Sequence, residues 1–240
     1  MTAPDPISVT APVLGGRPSA SQGWKDVSFV HWRVNSSDVA PLLPPGTRPD
    51  EFDGSSWVGP IAFELTDATL FGSPPVPFFG RFAELNVRLY ATDDRGRRGV
   101  VFVSLEAKRL LAVLGARAVF SLPYYWASTS IERENGTYTY HSRRRAARSR
   151  LVVSPSSTRV KDDPLAEFLT ARWALFVRSR GRTRWLPNHH EPWQLFEARL
   201  DSIRDGLLDA AGLPGLSDRA PDSVLFSPGV NSRFGKGSAH

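Results

Sequence analysis

Apolar and polar side chains alternate with a period of two through the middle of the chain. From residue 82 to 90, Ala83, Leu85, Val87 and Leu89 share one face, while Phe82, Glu84, Asn86 and Arg88 share the other. That is the pattern of a β-strand. The turn Asp93-Asp94-Arg95-Gly96 leads into residues 100–106, where Val101, Val103 and Leu105 oppose Val100, Phe102, Ser104 and Glu106. Further strands are expected at 29–34, 57–65, 124–132, 137–145 and 224–234, with 173–180 and 185–190 forming a hairpin about Gly181. Asn135-Gly136 is a two-residue hairpin signal. Helical stretches are expected from the N-cap Ser37 to the stop Leu43-Pro44-Pro45-Gly46, over 110–120, from Asp163-Pro164 through Thr170, and over 202–211 before Gly212. The Pro-rich loop 72–80 is long enough to cover a site.

Composition narrows the class. A chain of 240 residues, 41% hydrophobic, can bury a full core, and strand-rich folds of this length form one domain. We expect a flexible arm at 1–20, a single domain at 21–234 and a flexible tail at 235–240. The absence of cysteine excludes disulfides, thiolate metal sites and a cysteine nucleophile. Residues 1–18 lack the basic and then apolar regions of a signal peptide, so a cytoplasmic location is expected. The apolar stretch 110–120 is too short to span a bilayer. The net charge of +6 concentrates at Arg143, Arg144, Arg145, Arg148 and Arg150 and raises the question of nucleic acid. No nucleic-acid-binding motif or readable aromatic interleaving accompanies that run, so a solvated basic surface is the expectation, with an anionic partner as the lesser alternative.

No phosphate loop, nucleophile elbow or cofactor fingerprint occurs. What remains is a constellation. Arg33 shares a strand face with His31 and Phe29, and the central strands offer Glu84, Asn86, Ser104 and Glu106 on their more polar faces. Turned inward, these faces make a charged cavity for a carboxylate ligand, with a desolvated glutamate for proton transfer. Turned outward, they are the wet side of an antiparallel sheet, which is what alternation by itself implies. His189-His190 before Glu191-Pro192-Trp193 suggests a metal, yet adjacent strand residues point to opposite faces, and no further ligands are fixed. No metal or cofactor is expected.

The segments His31-Trp32-Arg33-Val34, Leu42-Leu43-Pro44-Pro45-Gly46, 52–57 (Phe-Asp-Gly-Ser-Ser-Trp), 82–88 (Phe-Ala-Glu-Leu-Asn-Val-Arg), Ser121-Leu122-Pro123-Tyr124, His189-His190-Glu191-Pro192-Trp193 and Phe226-Ser227-Pro228-Gly229-Val230 together resemble the YqjF-like family, a domain of unknown function numbered 2071. That family in turn resembles, more distantly, the acetoacetate decarboxylase superfamily. The resemblance implies an α+β, mainly β fold: a cone-shaped antiparallel β-barrel with flanking helices and a central cavity, with the polar faces turned inward.

Acetoacetate decarboxylases use a Schiff-base lysine beside a second lysine, directly after a Gly-x-Pro. Here the matching place reads Leu122-Pro123-Tyr124-Tyr125, and a phenol forms no iminium. Arg33 and Glu84 match the family's arginine and glutamate, and Glu64 matches a further acidic position. The expectation is therefore acid/base chemistry by Glu84, Tyr124 and Glu64, as enolisation, cyclisation, dehydration or isomerisation of a small organic oxo or carboxylate compound. Arg33, Asn86, Ser104 and Glu106 are expected to bind it, with His189, His190 and Trp193. Lys108 entering the cavity would restore a Schiff base. A non-catalytic ligand-binding protein and a basic-surface anion or nucleic-acid module are the alternatives; no membrane partner is expected, and a homo-oligomer is compatible with the chain.

Overall fold

Long alternating runs produce long, strongly curved strands. The computed structural model describes residues 2–73, 81–109, 121–179 and 181–239. Its strands in chain order are β1 (Ala20–Val34), β2 (Thr47–Pro49), β3 (Ser56–Leu70), β4 (Phe82–Asp93), β5 (Arg98–Ala107), β6 (Tyr124–Trp126) and β7 (Ser128–Glu134). There follow β8 (Thr137–Arg144), β9 (Ala147–Arg159), β10 (Ala174–Ser179), β11 (Arg182–His189), β12 (Phe196–Asp205), β13 (Ser223–Phe234) and β14 (Ser238–Ala239). The short α-helices are α1 (Ser36–Val39), α2 (Pro164–Thr170) and α3 (Leu207–Ala210).

All the main strands belong to one sheet. Its pairing closes on itself along β11-β10-β5-β4-β3-β1-β13, because β13 pairs with β11 as well as with β1. From β13 the sheet continues outside this ring as β12-β9-β8-β7. The extension covers the outer face of the ring, and Leu85, Val87 and Leu89 of β4 pack there with Tyr140, Leu151 and Val153 in one core. Inside the ring, Phe29, Ile61, Phe63 and Leu105 form a second cluster. A third gathers Tyr90, Leu175, and Phe168 and Leu169 of α2. The mainly β architecture with short helices around a cavity is the one implied by the resemblance.

Local chemistry explains the successes of the sequence reading. Asp163 caps α2 by accepting from the Leu165 and Ala166 amides at 2.9 and 3.1 Å, with Pro164 following it. Its side chain satisfies donors that a helix start leaves free. Asn135 and Gly136 both have positive φ, and the flanking Glu134 and Thr137 pair across the turn, as a two-residue hairpin requires.

Other expectations are corrected. Residues 202–205 belong to β12, and only Leu207–Ala210 is helical. The partner strand β9 supplies β12 with a hydrogen-bonding edge that outcompetes local helical preference. The expected strand 124–132 is broken at Ala127. β6 pairs in parallel with β5, whereas β7 pairs with β8. Within the segment expected as an arm, the Asp5 amide donates to the Gly96 carbonyl at 2.8 Å and the Ser8 carbonyl accepts from the Trp173 indole at 2.7 Å, contacts that do not test its flexibility. The helix expected at 110–120 and most of the loop at 72–80 lie outside the described residues.

Gly59 of β3 pairs with Arg88 of β4. On its other side, a Cβ at this position would stand 2.6 Å from Cδ2 of His31 and closer still to the Val30 carbonyl. Glycine is needed here for close approach, not for a left-handed backbone. Gly59→Ala is therefore expected to cost about 1–3 kcal/mol by forcing β1 from β3. Urea unfolding measures this, and an unchanged midpoint would show slack between these strands.

Candidate functional site

The site begins with β4. Its odd-numbered side chains fill the outer core, so Glu84, Asn86, Arg88 and Tyr90 project into the ring rather than to water. Glu84, Asn86 and Arg88 meet a cavity of about 80 Å³. On this measure one water needs ~10–15 Å³, so there is room for a molecule of a few heavy atoms. Phe29, Ile61, Phe63 and Phe102 contribute apolar wall, and Tyr124, Arg172, His190 and Trp193 contribute groups with hydrogen-bonding capacity.

Tyr124 reaches the cavity because β6 lies beside β5, with Leu105 and Tyr124 in register. Its hydroxyl donates to Oε2 of Glu84 at 2.8 Å. Burial pushes the Glu84 carboxyl up to about 7, while hydrogen bonds from Tyr124 and Asn86 oppose the rise. Burial, followed by the Glu84 charge, lifts the Tyr124 phenol well above its ordinary range. At neutral pH the pair thus contains a carboxyl that exchanges its proton readily and a phenol that keeps its own.

A cationic wall is built by two separate devices. Arg88 donates through Nε to the Tyr90 hydroxyl at 2.9 Å and through Nη2 to the Leu169 carbonyl at 2.6 Å. Tyr90 is also 2.6 Å from Nε2 of His31. Burial and the Arg88 and Arg172 charges hold that imidazole well below its usual pKa. Arg172, only 4% exposed, donates through Nε to the Phe168 carbonyl at 2.6 Å and through Nη1 to Asp50 at 2.5 Å. Asp50 also accepts from Arg98, so one carboxylate serves two guanidinium groups. Nη2 of Arg172 is buried without a partner. Even with Glu84 ionised, Arg88, Arg98 and Arg172 outweigh Asp50 and Glu84.

His190 lines the cavity as a neutral ring, its pKa pulled down to about 4 by burial. Its Nδ1 lies 2.7 Å from the Glu191 carbonyl. A carbonyl only accepts, so the proton sits on Nδ1 and Nε2 is left as an acceptor. Trp193 stacks on Trp24 with ring centroids 5.9 Å apart.

The structure thus brings together Glu84, Asn86, Tyr124, His190 and Trp193 and leaves the other expected site residues outside. Arg33 does share the Phe29 face, but four residues of strand carry it about 13 Å farther along. There it meets Asp53 at 3.4 Å and stays half-exposed. Glu64 follows the cavity-facing Phe63 and so takes the opposite face, bonded to Arg133 at 3.0 Å. A bulge moves Ser104 and Glu106: Val87 pairs with Ser104 but Arg88 with Phe102, leaving Val103 extra. Beyond it the alternation is inverted, Leu105 faces the cavity, and Glu106 meets Arg144 at 3.0 Å. His189 points away from its neighbour's side. Lys108 is exposed, and none of Lys25, Lys108, Lys161 and Lys236 lines the cavity. The residues that sequence reasoning missed are Arg88 and Arg172. Arg88 had a signal, since it shares the face of Glu84 and Asn86; Arg172, just after α2, had none.

Comparisons with known proteins agree with this fold. Among solved structures, an acetoacetate decarboxylase-like enzyme from Sphingomonas wittichii RW1 superposes with a TM-score of 0.67 at 14% identity, covering 94% of each chain. The enduracididine biosynthesis enzyme MppR, complexed with pyruvate, superposes with a TM-score of 0.61 at 15% identity, covering 93% of this chain and 91% of that one. These likenesses establish an acetoacetate decarboxylase-like fold. The uncharacterized protein YqjF of Bacillus subtilis (strain 168) is 33% identical over 220 residues, 86% of this chain and 90% of that protein. The model of DUF2071, an uncharacterized conserved protein family, matches residues 21–231. The chain belongs to the DUF2071 family.

Proposed function

We propose that the cavity binds a small 2-oxo carboxylate and moves a proton on it without a covalent intermediate. The observation that carries this reading is a hydrogen-bonded Tyr124–Glu84 pair sharing a small cavity with Arg172, whose Nη2 is buried and makes no hydrogen bond. A guanidinium edge suits a carboxylate. With the substrate carboxylate on Arg88 and Arg172, its carbonyl oxygen accepts the hydrogen bond of the Tyr124 hydroxyl, which keeps its proton. Glu84, having lost that donor, becomes the stronger base and removes a proton from the carbon next to the carbonyl. The C–H electron pair enters the enolate, whose oxygen is stabilised by Tyr124. Return of the proton completes exchange, and on larger substrates the same enolate opens isomerisation, dehydration or cyclisation. The neighbour complexed with pyruvate supports a ligand of this size and charge.

Pyruvate in deuterated water tests the chemistry, since methyl-proton loss is read directly by NMR. The chain is expected to accelerate exchange, and at subsaturating pyruvate, where the ligand-free chain sets the pH dependence, the rate should rise through an apparent pKa of about 7 as Glu84 ionises. Glu84→Gln should lower the rate by ~10²-fold or more, and Tyr124→Phe should lower it while leaving pyruvate affinity nearly unchanged. Pyruvate binding with no exchange would favour the non-catalytic reading, which the missing lysine also suits.

Stability offers a second check. The Glu84 carboxyl rises from 4.5 to about 7 on folding, so between those values the folded chain binds more protons and loses stability as pH increases. That rise corresponds to about 3 kcal/mol. Glu84→Gln should therefore gain about 3 kcal/mol on the parent between pH 4.5 and 8 in urea unfolding. A gap that does not move with pH would refute the buried-carboxyl assignment.

Covalent chemistry is tested by borohydride in the presence of pyruvate or acetoacetate. Intact-protein mass should show no stable adduct, and an adduct mapped to Lys108 would overturn the noncovalent mechanism.

A further inference from the structure

The run from Arg143 to Arg150 is divided by strand alternation. Arg144 turns inward to Glu106, whereas Arg143, Arg148 and Arg150 are exposed on the outer face of the extension. Register places them in two rows. Ser130, His141, Arg150 and Arg204 lie side by side across β7, β8, β9 and β12, and Ser128, Arg143 and Arg148 form the next row. Arg150 therefore stands directly opposite Arg204, and Arg143 directly opposite Arg148. Like charges so placed destabilise a sheet.

Among the described residues, no carboxylate pairs with Arg143, Arg148, Arg150 or Arg204. Arg150 donates to the Ser202 hydroxyl at 3.1 Å, and Glu132 lies 3.6 Å from His141 at the edge of the array. The rows border an open hollow of about 580 Å³. Asp205 also lines the hollow, but its carboxylate is taken up by the Ser149 hydroxyl and the Leu208 amide. Among the described residues no acid forms an ion pair with the rows, and an anion would relieve their repulsion.

We propose that this hollow holds a small anion carrying two or more phosphate groups, separately from the cavity inside the ring. Guanidinium forks match phosphate oxygens, the serine hydroxyls add donors, and the rows lie about 7 Å apart along the strands, so phosphates at two ends of one molecule reach both. The β8 side chains on this face are Thr139, His141 and Arg143, while Tyr138 and Tyr140 point into the core. No tyrosine or tryptophan platform for bases is offered by these rows, which favours a compact phosphate compound over single-stranded nucleic acid. A second copy of the chain docked by two-fold symmetry would set arginine rows against each other.

The test is calorimetric titration of the full chain with inorganic tripolyphosphate, and with orthophosphate for comparison. Tripolyphosphate should bind more tightly, and an Arg150→Gln, Arg204→Gln double variant should weaken it about tenfold or more. Arg143→Gln with Arg148→Gln should act likewise from the other row. Without ligand at low salt, the first double variant should melt about 1–2 °C higher, because a like-charge pair is removed. Pyruvate exchange should be unchanged in both. The proposal is overturned by no binding at millimolar tripolyphosphate, by affinity that survives both double variants, or by orthophosphate binding equally well. Tighter binding of an oligonucleotide with the same number of phosphates would replace it with a nucleic-acid surface.

Discussion

Burial of both faces of β4 is the constraint on which the rest depends. Leu85, Val87 and Leu89 are fully buried against the extension, so their neighbours Glu84, Asn86 and Arg88 must enter the ring. In an open sheet these polar side chains would meet water. Here the strand has no wet side, and its charged groups sit in a small cavity with few solvent molecules to share. The raised pKa of Glu84 follows from that topology more than from any neighbouring charge.

Cations and carboxyl are held in this space by different means. Arg88 is positioned by neutral groups, the Tyr90 hydroxyl and the Leu169 carbonyl. Arg172 is positioned by Asp50, itself only 2% exposed. A buried ion pair contributes little net stability once desolvation is counted. Its consequence here is geometric, because fixing Nε and Nη1 leaves Nη2 oriented and without a partner. No arginine figures among the causes of the Glu84 shift. On the proposed function, the guanidinium groups clamp one end of a bound molecule and the carboxyl serves as base at the other.

The bulge in β5 shows how small a local irregularity can redirect chemistry. One extra residue, Val103, inverts the faces of everything after it. Ser104 and Glu106 leave the cavity, and Leu105 enters to pack beside Tyr124. Glu106 then finds Arg144 from the extension. The same alternation that makes β4 readable makes β5 misleading beyond the bulge, since a period of two has no tolerance for an insertion.

From the sequence by itself, much of the scaffold was legible. Alternation identified β4 and β5, Asn135-Gly136 identified the hairpin, and Asp163-Pro164 identified the start of α2, because each depends on residues close in the chain. That Glu84 and the residue after Pro123 belong to one site was legible through the family resemblance, whereas the hydrogen bond between them was not. Alternation left the direction of the polar faces open and the resemblance implied that they turn inward; tertiary structure decided that β4 does so while Ser104 and Glu106 of β5 do not, since closing the ring and covering it are long-range events. It alone also excluded Arg33 and Glu64, recruited Arg172 from beyond α2, and split the arginine run between a buried ion pair and an exposed array. In each case the outcome depended on what a side chain meets across the fold, and that partner is distant in the sequence.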